Sequence, residues 1–418
     1  MPERFRAPTG TSDVLPPESR RWEALVARFA ALVERAGYAL VSTPLFEDVG
    51  VFSRVGESTD VVRKEMYDFE DKGGRRLALR PEGTAPVARA WVEHRPPLPW
   101  KAWYVAPSFR YERPQAGRYR QHLQLGVELL GTPDPDADVE VIALLWDLYT
   151  GLGLQRALLL INSLGDPVCR PSYLQELRAY LEERREALCD EHRARWAENP
   201  LRVLDCKRER CREATRTAPR MVDALCGPCA EHFERVQDGL GALGIPFAIE
   251  TRLVRGLDYY TRTTFEVQAS ALESAQNGIG GGGRYDGLVE LLGGPATPGI
   301  GFGTGVERVL LACDAEGVFP VPDPVVQVFV VDTTGGEEAR DLTGALRRAG
   351  VACDRTFDGR SMKAQFRAAD RSGARLALVV GTEERTSGKV KVQALDGDRS
   401  ELVDRAELVA TVKRLLDG

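Results

Sequence analysis

Three arginines stand in company that suits phosphate chemistry. Arg110 closes a strand-like run through Trp103-Tyr104-Val105 and Phe109, and opens a loop carrying Arg113-Pro114-Gln115-Ala116-Gly117-Arg118-Tyr119-Arg120. Arg255 precedes Gly256-Leu257-Asp258-Tyr259-Tyr260, and Arg308 lies one helical turn beyond Gly301-Phe302-Gly303-Thr304-Gly305. A guanidinium combines permanent charge with a planar fork of donors that grips phosphate oxygens in pairs. Separated arginines beside glycine-rich segments suit an extended polyphosphate held without a P-loop. The P-loop itself is missing, because Gly381 to Gly388-Lys389 has the wrong spacing and runs into Val390. His94, His122, His192 and His232 make no H-E-x-x-H pair. Gly278-Ile279-Gly280-Gly281-Gly282-Gly283 meets the dinucleotide pattern only as polyglycine, with no acidic ribose partner in place.

The second chemical feature is sulfur. Cys206 and Cys211, then Cys226 and Cys229, spell C-x4-C followed by C-x2-C, which resembles a four-cysteine zinc knuckle. One Zn²⁺ held by these four residues is the metal reading; four unliganded thiols is the other. With eight cysteines in 418 residues the chain is too sparse for a secreted disulfide scaffold. There is no apolar leader and no run of about 18 apolar residues, so the expectation is a soluble, cytoplasmic protein. A net charge of −6 excludes a uniformly basic nucleic-acid binder but leaves room for a local basic patch.

The elements that must position these groups follow from periodicity. Residues 17–36 repeat Trp22, Leu25, Val26, Phe29, Leu32 and Val33 at helical spacing between Pro17 and Gly37. Short strand-like runs follow at 39–42, 66–69, 77–80, 103–105 and 123–130, with Asp71-Lys72-Gly73-Gly74 as a hairpin turn. Helical periodicity returns at 139–152. Residues 164–244 change texture, are rich in Arg and Glu, and hold six of the eight cysteines, which marks a largely helical insertion. Strand signals resume at 247–253 and 263–269. Three prolines in Pro320-Val321-Pro322-Asp323-Pro324 form the clearest linker. Beyond it, strands at 325–331, 351–355, 376–380 and 390–394 alternate with helices at 337–348, 361–371 and 405–416. The expected fold class is therefore α/β: a mixed, hairpin-rich first domain over 1–322, with an insertion at about 165–244, and a small α/β domain over 323–418, mostly of parallel units. Residues 355–375 of that small domain carry six basic residues against two acidic ones; a solvated helix face is the usual meaning of such a run, and a local surface for RNA is the other.

At this point the motifs become specific. They resemble the three signatures of class II aminoacyl-tRNA synthetases, and together those of the histidyl-tRNA synthetase family. Arg255-Gly256-Leu257-Asp258-Tyr259-Tyr260-Thr261-Arg262-Thr263 is similar to that family's own histidine motif. Gly280 through Leu288 resembles its second glycine signature, Leu79-Arg80-Pro81-Glu82-Gly83-Thr84 its amino-acid-binding strand end, and Pro44 the motif 1 proline of a dimer interface. The resemblance runs from Pro8-Thr9-Gly10 to the last helix.

It implies a class II antiparallel-sheet catalytic domain with a helical insertion, followed by an anticodon-binding α/β domain. It implies L-histidine, ATP with Mg²⁺, and tRNA(His) as ligands, a homodimer, and no membrane. Glu82 and Thr84 would bind the substrate α-amino group, with Gln124 between the two ends. Glu128 would accept from the imidazole, with Tyr259 and Tyr260 walling it. Arg110 would hold the α-phosphate and carboxylate, Arg308 the γ-phosphate, and Arg255 would stabilise charge at the α-phosphate during attack. His122 stands one place before the histidine of the family's Phe-His-Gln, so alternation turns it from that residue's side and leaves it out of the expected site. The resemblance also has a rival: the histidine-binding regulatory paralogue of ATP phosphoribosyltransferase, which usually lacks the anticodon domain and degrades the Arg255 segment. This chain has both.

Overall fold

The computed structural model describes residues 4–56, 59, 61–115, 117–254, 259–272, 277–397 and 399–417. Arg255, expected to stabilise the reacting phosphate, lies outside them. The chain divides into two compact units, Met1–Pro320 and Val321–Gly418.

The first unit is organised by an eight-stranded sheet. In spatial order its strands are Ala39–Leu40, Trp100–Phe109, Gln121–Leu130, Gly299–Gly305, Gly278–Arg284, Thr261–Ala269, Ala157–Ser163 and Phe247–Ile249. The pairs at the two edges are parallel and the five between them antiparallel. A three-stranded antiparallel sheet of Phe46–Asp48, Arg76–Leu79 and Asp68–Glu70 stands beside it, and the hairpin joining Asp68–Glu70 to Arg76–Leu79 turns at Asp71–Gly74 as the sequence suggests.

One face of the large sheet is covered by the helices Glu18–Arg35 and Pro135–Gly151. The first presents Leu25, Phe29 and Val33, spaced four apart, all fully buried. Phe29 meets Trp103 and Phe302 edge to face, at 5.8 and 6.2 Å between ring centroids. Burying each such side chain stabilises the fold by about 1.5–3 kcal/mol. The second helix begins four residues earlier than its apolar period suggests, because Asp134 caps it, accepting from the Asp136 N–H at 3.1 Å.

The insertion leaves the sheet after Ser163 and returns at Phe247 through Arg170–Glu183, several short helices and Gly227–Ala242. In the second unit the sheet order is Cys353–Arg355, Val328–Asp332, Leu376–Val380, Lys389–Ala394 and Ser400–Asp404. Only its first two pairings are parallel. The strand at 400–404 has no sequence expectation behind it: only Val403 is buried, and it is pinned by the hairpin with 389–394.

Candidate active site

Parity along Gln121–Leu130 sorts the site. Leu125, Val127 and Leu129 enter the core, so His122, Gln124, Gly126 and Glu128 share the opposite face. Across the sheet Glu128 pairs with Gly301 and Gly126 with Gly303. A Cβ at Gly301 would collide with Glu128 Oε2, and one at Gly303 with Gln124 Nε2. The glycines of 299–305 are thus the bare floor over which these two side chains lie.

Above that floor is a cavity of about 840 Å³. Of the residues expected in the site, Glu82, Thr84, Arg110, Gln124, Tyr259, Tyr260 and Arg308 line it together. Glu128 sits just beneath the wall and is 1% exposed. Its Oε1 accepts from Thr84 Oγ1 at 2.7 Å, and its Oε2 accepts from the Tyr285 hydroxyl. Burial pushes the Glu128 carboxyl up to about 8 against the pull of these two hydroxyls. Glu82 sits at the N-terminus of the helix Thr84–His94, accepting from the N–H groups of Thr84 at 2.5 Å and Ala85 at 2.9 Å. Burial raises its pKa as well, offset in part by those N–H donors.

Two of the expected arginines line the same cavity. Arg110 is steadied by its Nε–H to Pro81 O at 2.9 Å. Arg308 is held by Nε–H to Gly117 O at 2.7 Å and Nη1–H to Gly278 O at 3.0 Å. Val254 and Tyr259, which flank the undescribed 255–258, both line the cavity.

Three further residues belong to the site and were not expected there from sequence. His122 lines the cavity after all: it is two places from Gln124, and that count, rather than the offset from the family's histidine, fixes its face. Burial, with Arg110 and Arg308 nearby, pushes its pKa down to about 3, so the imidazole is neutral. Tyr285 lies within the glycine signature already quoted, and its hydroxyl grips Glu128. Tyr104, on the face of 100–109 shared with Ala102 and Ala106, lies so close against Gly83 and Gly126 that a Cβ on either would run into its ring. Alternation along 100–109 could have found it.

A buried charge cluster braces the rear of the site. The fully buried Arg284 donates Nε–H to Asp138 at 3.0 Å, Nη1–H to Thr132 O at 3.0 Å and to Asp286 at 3.1 Å, while His232 Nε2 lies 2.7 Å from the other Asp138 oxygen. Burial alone would raise the Asp138 pKa; Arg284 and His232 overcome it and hold it below the usual value.

The single four-cysteine zinc site is not formed. Cys206 and Cys211 gather with Cys189 and His192, whereas Cys226 and Cys229 gather with Asp166 and Cys169. The helix Glu209–Ala214 and the turn Met221–Asp223 carry the chain away between the two cysteine pairs, and each pair finds ligands from an earlier turn instead.

An antiparallel sheet floored by glycines, beneath a cavity lined by both arginines and carboxylates, defines a class II aminoacyl-tRNA synthetase core. A family model described as Histidyl-tRNA synthetase matches residues 10–309, and one described as Anticodon binding domain matches 325–415. The chain is 49% identical to the histidine–tRNA ligase of Moorella thermoacetica, over 98% of each protein. It is 50% identical to that of Desulforudis audaxviator, over 97% of this chain and 98% of that one. A crystal structure of apo S. aureus histidyl-tRNA synthetase superposes with a TM-score of 0.83 at 36% identity, covering 98% of this chain and all of that one. The chain belongs to the histidyl-tRNA synthetase family.

Proposed function

We propose that the chain is a histidine–tRNA ligase. It joins L-histidine to ATP, forming histidyl-adenylate and releasing pyrophosphate, and then passes the histidyl group to the 3′-terminal ribose of tRNA(His). The observation that carries this reading is one cavity lined by Arg110 and Arg308 together with Glu82, Thr84, Tyr259 and Tyr260, Glu128 lying under Thr84.

The α-amino group of histidine is cationic and suits Glu82, whose carboxylate is already aligned by two N–H donors. A carboxylate has about four acceptor positions, so Glu128 can take the imidazole N–H beside the Thr84 and Tyr285 hydroxyls. Gln124 bridges the two ends. Arg110 and Arg308 hold the phosphates at opposite points of an extended ATP, and Arg255 stabilises charge at the α-phosphate. Mg²⁺ takes hard oxygen ligands, and Glu266 and Glu307 line the cavity. Glu307 Oε2 is buried without a hydrogen-bond partner among the described residues, which suits it to a hard cation. Bound there, Mg²⁺ would offset the charge of the phosphates.

Residues 1–322 form the catalytic domain and 323–418 the anticodon reader. In the latter, Phe357 is 62% exposed with the Arg355 guanidinium 4.7 Å from its ring centre, a platform on which a splayed base can stack. Leu40, Leu45, Phe46 and Phe69 are exposed around Pro44, which supports burial against a second copy in a homodimer. Among the described residues no helix is long and apolar enough to cross a membrane, and a cytoplasmic enzyme fits the proposed substrates. Purified protein should exchange pyrophosphate into ATP only with histidine present and should charge tRNA(His). Histidine binding without either reaction would instead identify the regulatory paralogue.

A further inference from the structure

We infer that the insertion holds two structural zinc ions, one nested inside the other: an inner site of Cys189, His192, Cys206 and Cys211, and an outer site of Asp166, Cys169, Cys226 and Cys229.

In each set the four ligand atoms all lie within 4.8 Å of one another. The individual separations are those of a tetrahedron's edges. Zn–S of about 2.3 Å with Zn–N or Zn–O of about 2.1 Å puts neighbouring ligand atoms about 3.6 Å apart. His192 Nδ1 lies 3.3 Å from Cys189 Sγ and 3.6 Å from Cys211 Sγ. Asp166 Oδ1 lies 3.5 Å from Cys169 Sγ and 3.9 Å from Cys226 Sγ. Thiols that merely pack in a core have no reason to converge with an imidazole nitrogen in one place and a carboxylate in another.

The surroundings are those of thiolates. The Cys189 N–H points at Cys211 Sγ at 3.3 Å, and the Asp166 N–H at Cys169 Sγ at 3.4 Å. Backbone donors of this kind orient and stabilise metal-bound sulfur. Asp166 Oδ1 also accepts from the N–H groups of Val168 and Cys169, which fixes its rotamer, and its Oδ2 lies 3.7 Å from Arg262 Nη2. Three sulfurs with one nitrogen or oxygen select Zn²⁺ over Mg²⁺ or Ca²⁺. None of the eight cysteines is in a disulfide.

The ligand order along the chain gives the sites their purpose. The outer pairs, 166/169 and 226/229, clamp the two ends of the insertion; the inner pairs, 189/192 and 206/211, close the loop between them. That loop is built from the short helices Asp190–Arg195, Pro200–Leu204 and Glu209–Ala214, too little regular structure to hold together by apolar burial alone. The clamp also reaches the catalytic floor. Arg170, next to Cys169, donates to Tyr260 O at 2.6 Å, and Arg262 exchanges backbone hydrogen bonds with Leu164 and Gly165. Cys206 itself lines the cavity. All eight ligands lie in the insertion, and their assignment does not depend on the catalytic reading.

Elemental analysis of full-length protein purified without chelator tests the inference, with two Zn²⁺ per chain expected. The pair Cys189→Ser/Cys206→Ser should retain one ion, and so should Cys226→Ser/Cys229→Ser. X-ray absorption on the wild type needs no variant to fold: its zinc shell should average three sulfurs at about 2.3 Å and one lighter atom at about 2.1 Å. One ion per chain, an all-sulfur shell, or metal-free protein with titratable thiols or disulfides would overturn it.

Discussion

Thr84 Oγ1 donates to Glu128 Oε1 at 2.7 Å, across 44 residues of sequence. The bond ties the start of the helix Thr84–His94, the end proposed for the α-amino group, to the strand proposed to meet the imidazole. Tyr285 completes the grip from a third element. Thr84, Glu128 and Tyr285 are therefore one connected hydrogen-bond unit, on which the proposed histidine recognition would rest.

Loss of Glu128 should accordingly be felt by one substrate. Leaving a buried imidazole N–H without its acceptor costs about 1–3 kcal/mol, or roughly five- to hundred-fold. Glu128→Ala should raise the KM for histidine by about that factor in pyrophosphate exchange and leave the KM for ATP near wild type. An equal rise in both would mean that the residue only holds the fold.

The same carboxyl links stability to pH. Its folded pKa of about 8 stands above the ordinary 4.5. Between those values the unfolded chain has lost the proton while the empty folded protein keeps it, so the folded state binds more protons. Stability is then fully present below about pH 4.5 and falls as pH rises to about 8. Glu128→Gln should flatten part of that decline in Tm. A decline equally steep in the variant would show that the other buried carboxyls, Glu82 and Glu307, carry it.

Arg284 offers a stability prediction of a different kind. Removing one partner of a buried ion pair leaves the other uncompensated, at a cost of about 3–5 kcal/mol. Arg284→Ala leaves Asp138 with His232 as its remaining side-chain partner, and chemical denaturation should show a loss towards the lower end of that range. A loss below about 1 kcal/mol would mean that water reaches Asp138.

How much of the molecule was legible in the sequence differs from one feature to the next. The helix Glu18–Arg35 was readable because Leu25, Phe29 and Val33 repeat on one face and Gly37 takes a left-handed φ of 84° to end it. The strand Ser400–Asp404 was not, because an edge strand with one buried residue shows no alternation. In the site, the motif residues were recognisable one by one, but the floor role of Gly301 and Gly303 depends on register with Glu128 and Gln124, which no local spacing contains. The cysteines show the same limit. C-x4-C and C-x2-C were visible as pairs, whereas their pairing with Cys189/His192 and Asp166/Cys169 is set by the path of the insertion.

Anticodon reading should separate from adenylation. Every residue lining the cavity precedes Pro320, so a chain ending at residue 324 should keep histidine-dependent pyrophosphate exchange and lose tRNA affinity. Within the full chain, Phe357→Ala should weaken tRNA binding by about five- to hundred-fold, the range for one stacked base. Charge reversal at Arg360 and Arg367 should lower the slope of log affinity against log salt by about one for each phosphate no longer neutralised. Unaltered tRNA affinity in the truncated chain would remove residues 323–418 from recognition.

Arg255 should act on the transition state rather than on binding. Attack of the histidine carboxylate on the α-phosphorus brings two anions together and concentrates charge on the non-bridging oxygens. Arg110 and Arg308 are each already bonded to backbone carbonyls at their stations, which suits them to hold ATP in both ground and transition state. A group that accelerates the step must instead gain interaction as charge develops. Arg255 is the third of the arginines that the motifs single out, and its segment continues into Tyr259 and Tyr260 on the cavity wall. Arg255→Ala should slow adenylation by ~10²–10³, the usual cost of one preorganised charge-stabilising donor. Histidine binding should change far less, and transfer from preformed adenylate to tRNA should be less affected than adenylation. Lysine should rescue only partly, because it keeps the charge and loses the fork. If Arg255 merely ties its loop down, Tm and both half-reactions would fall together. Single-turnover pyrophosphate release at near wild-type rate from folded Arg255→Ala protein would refute the catalytic role.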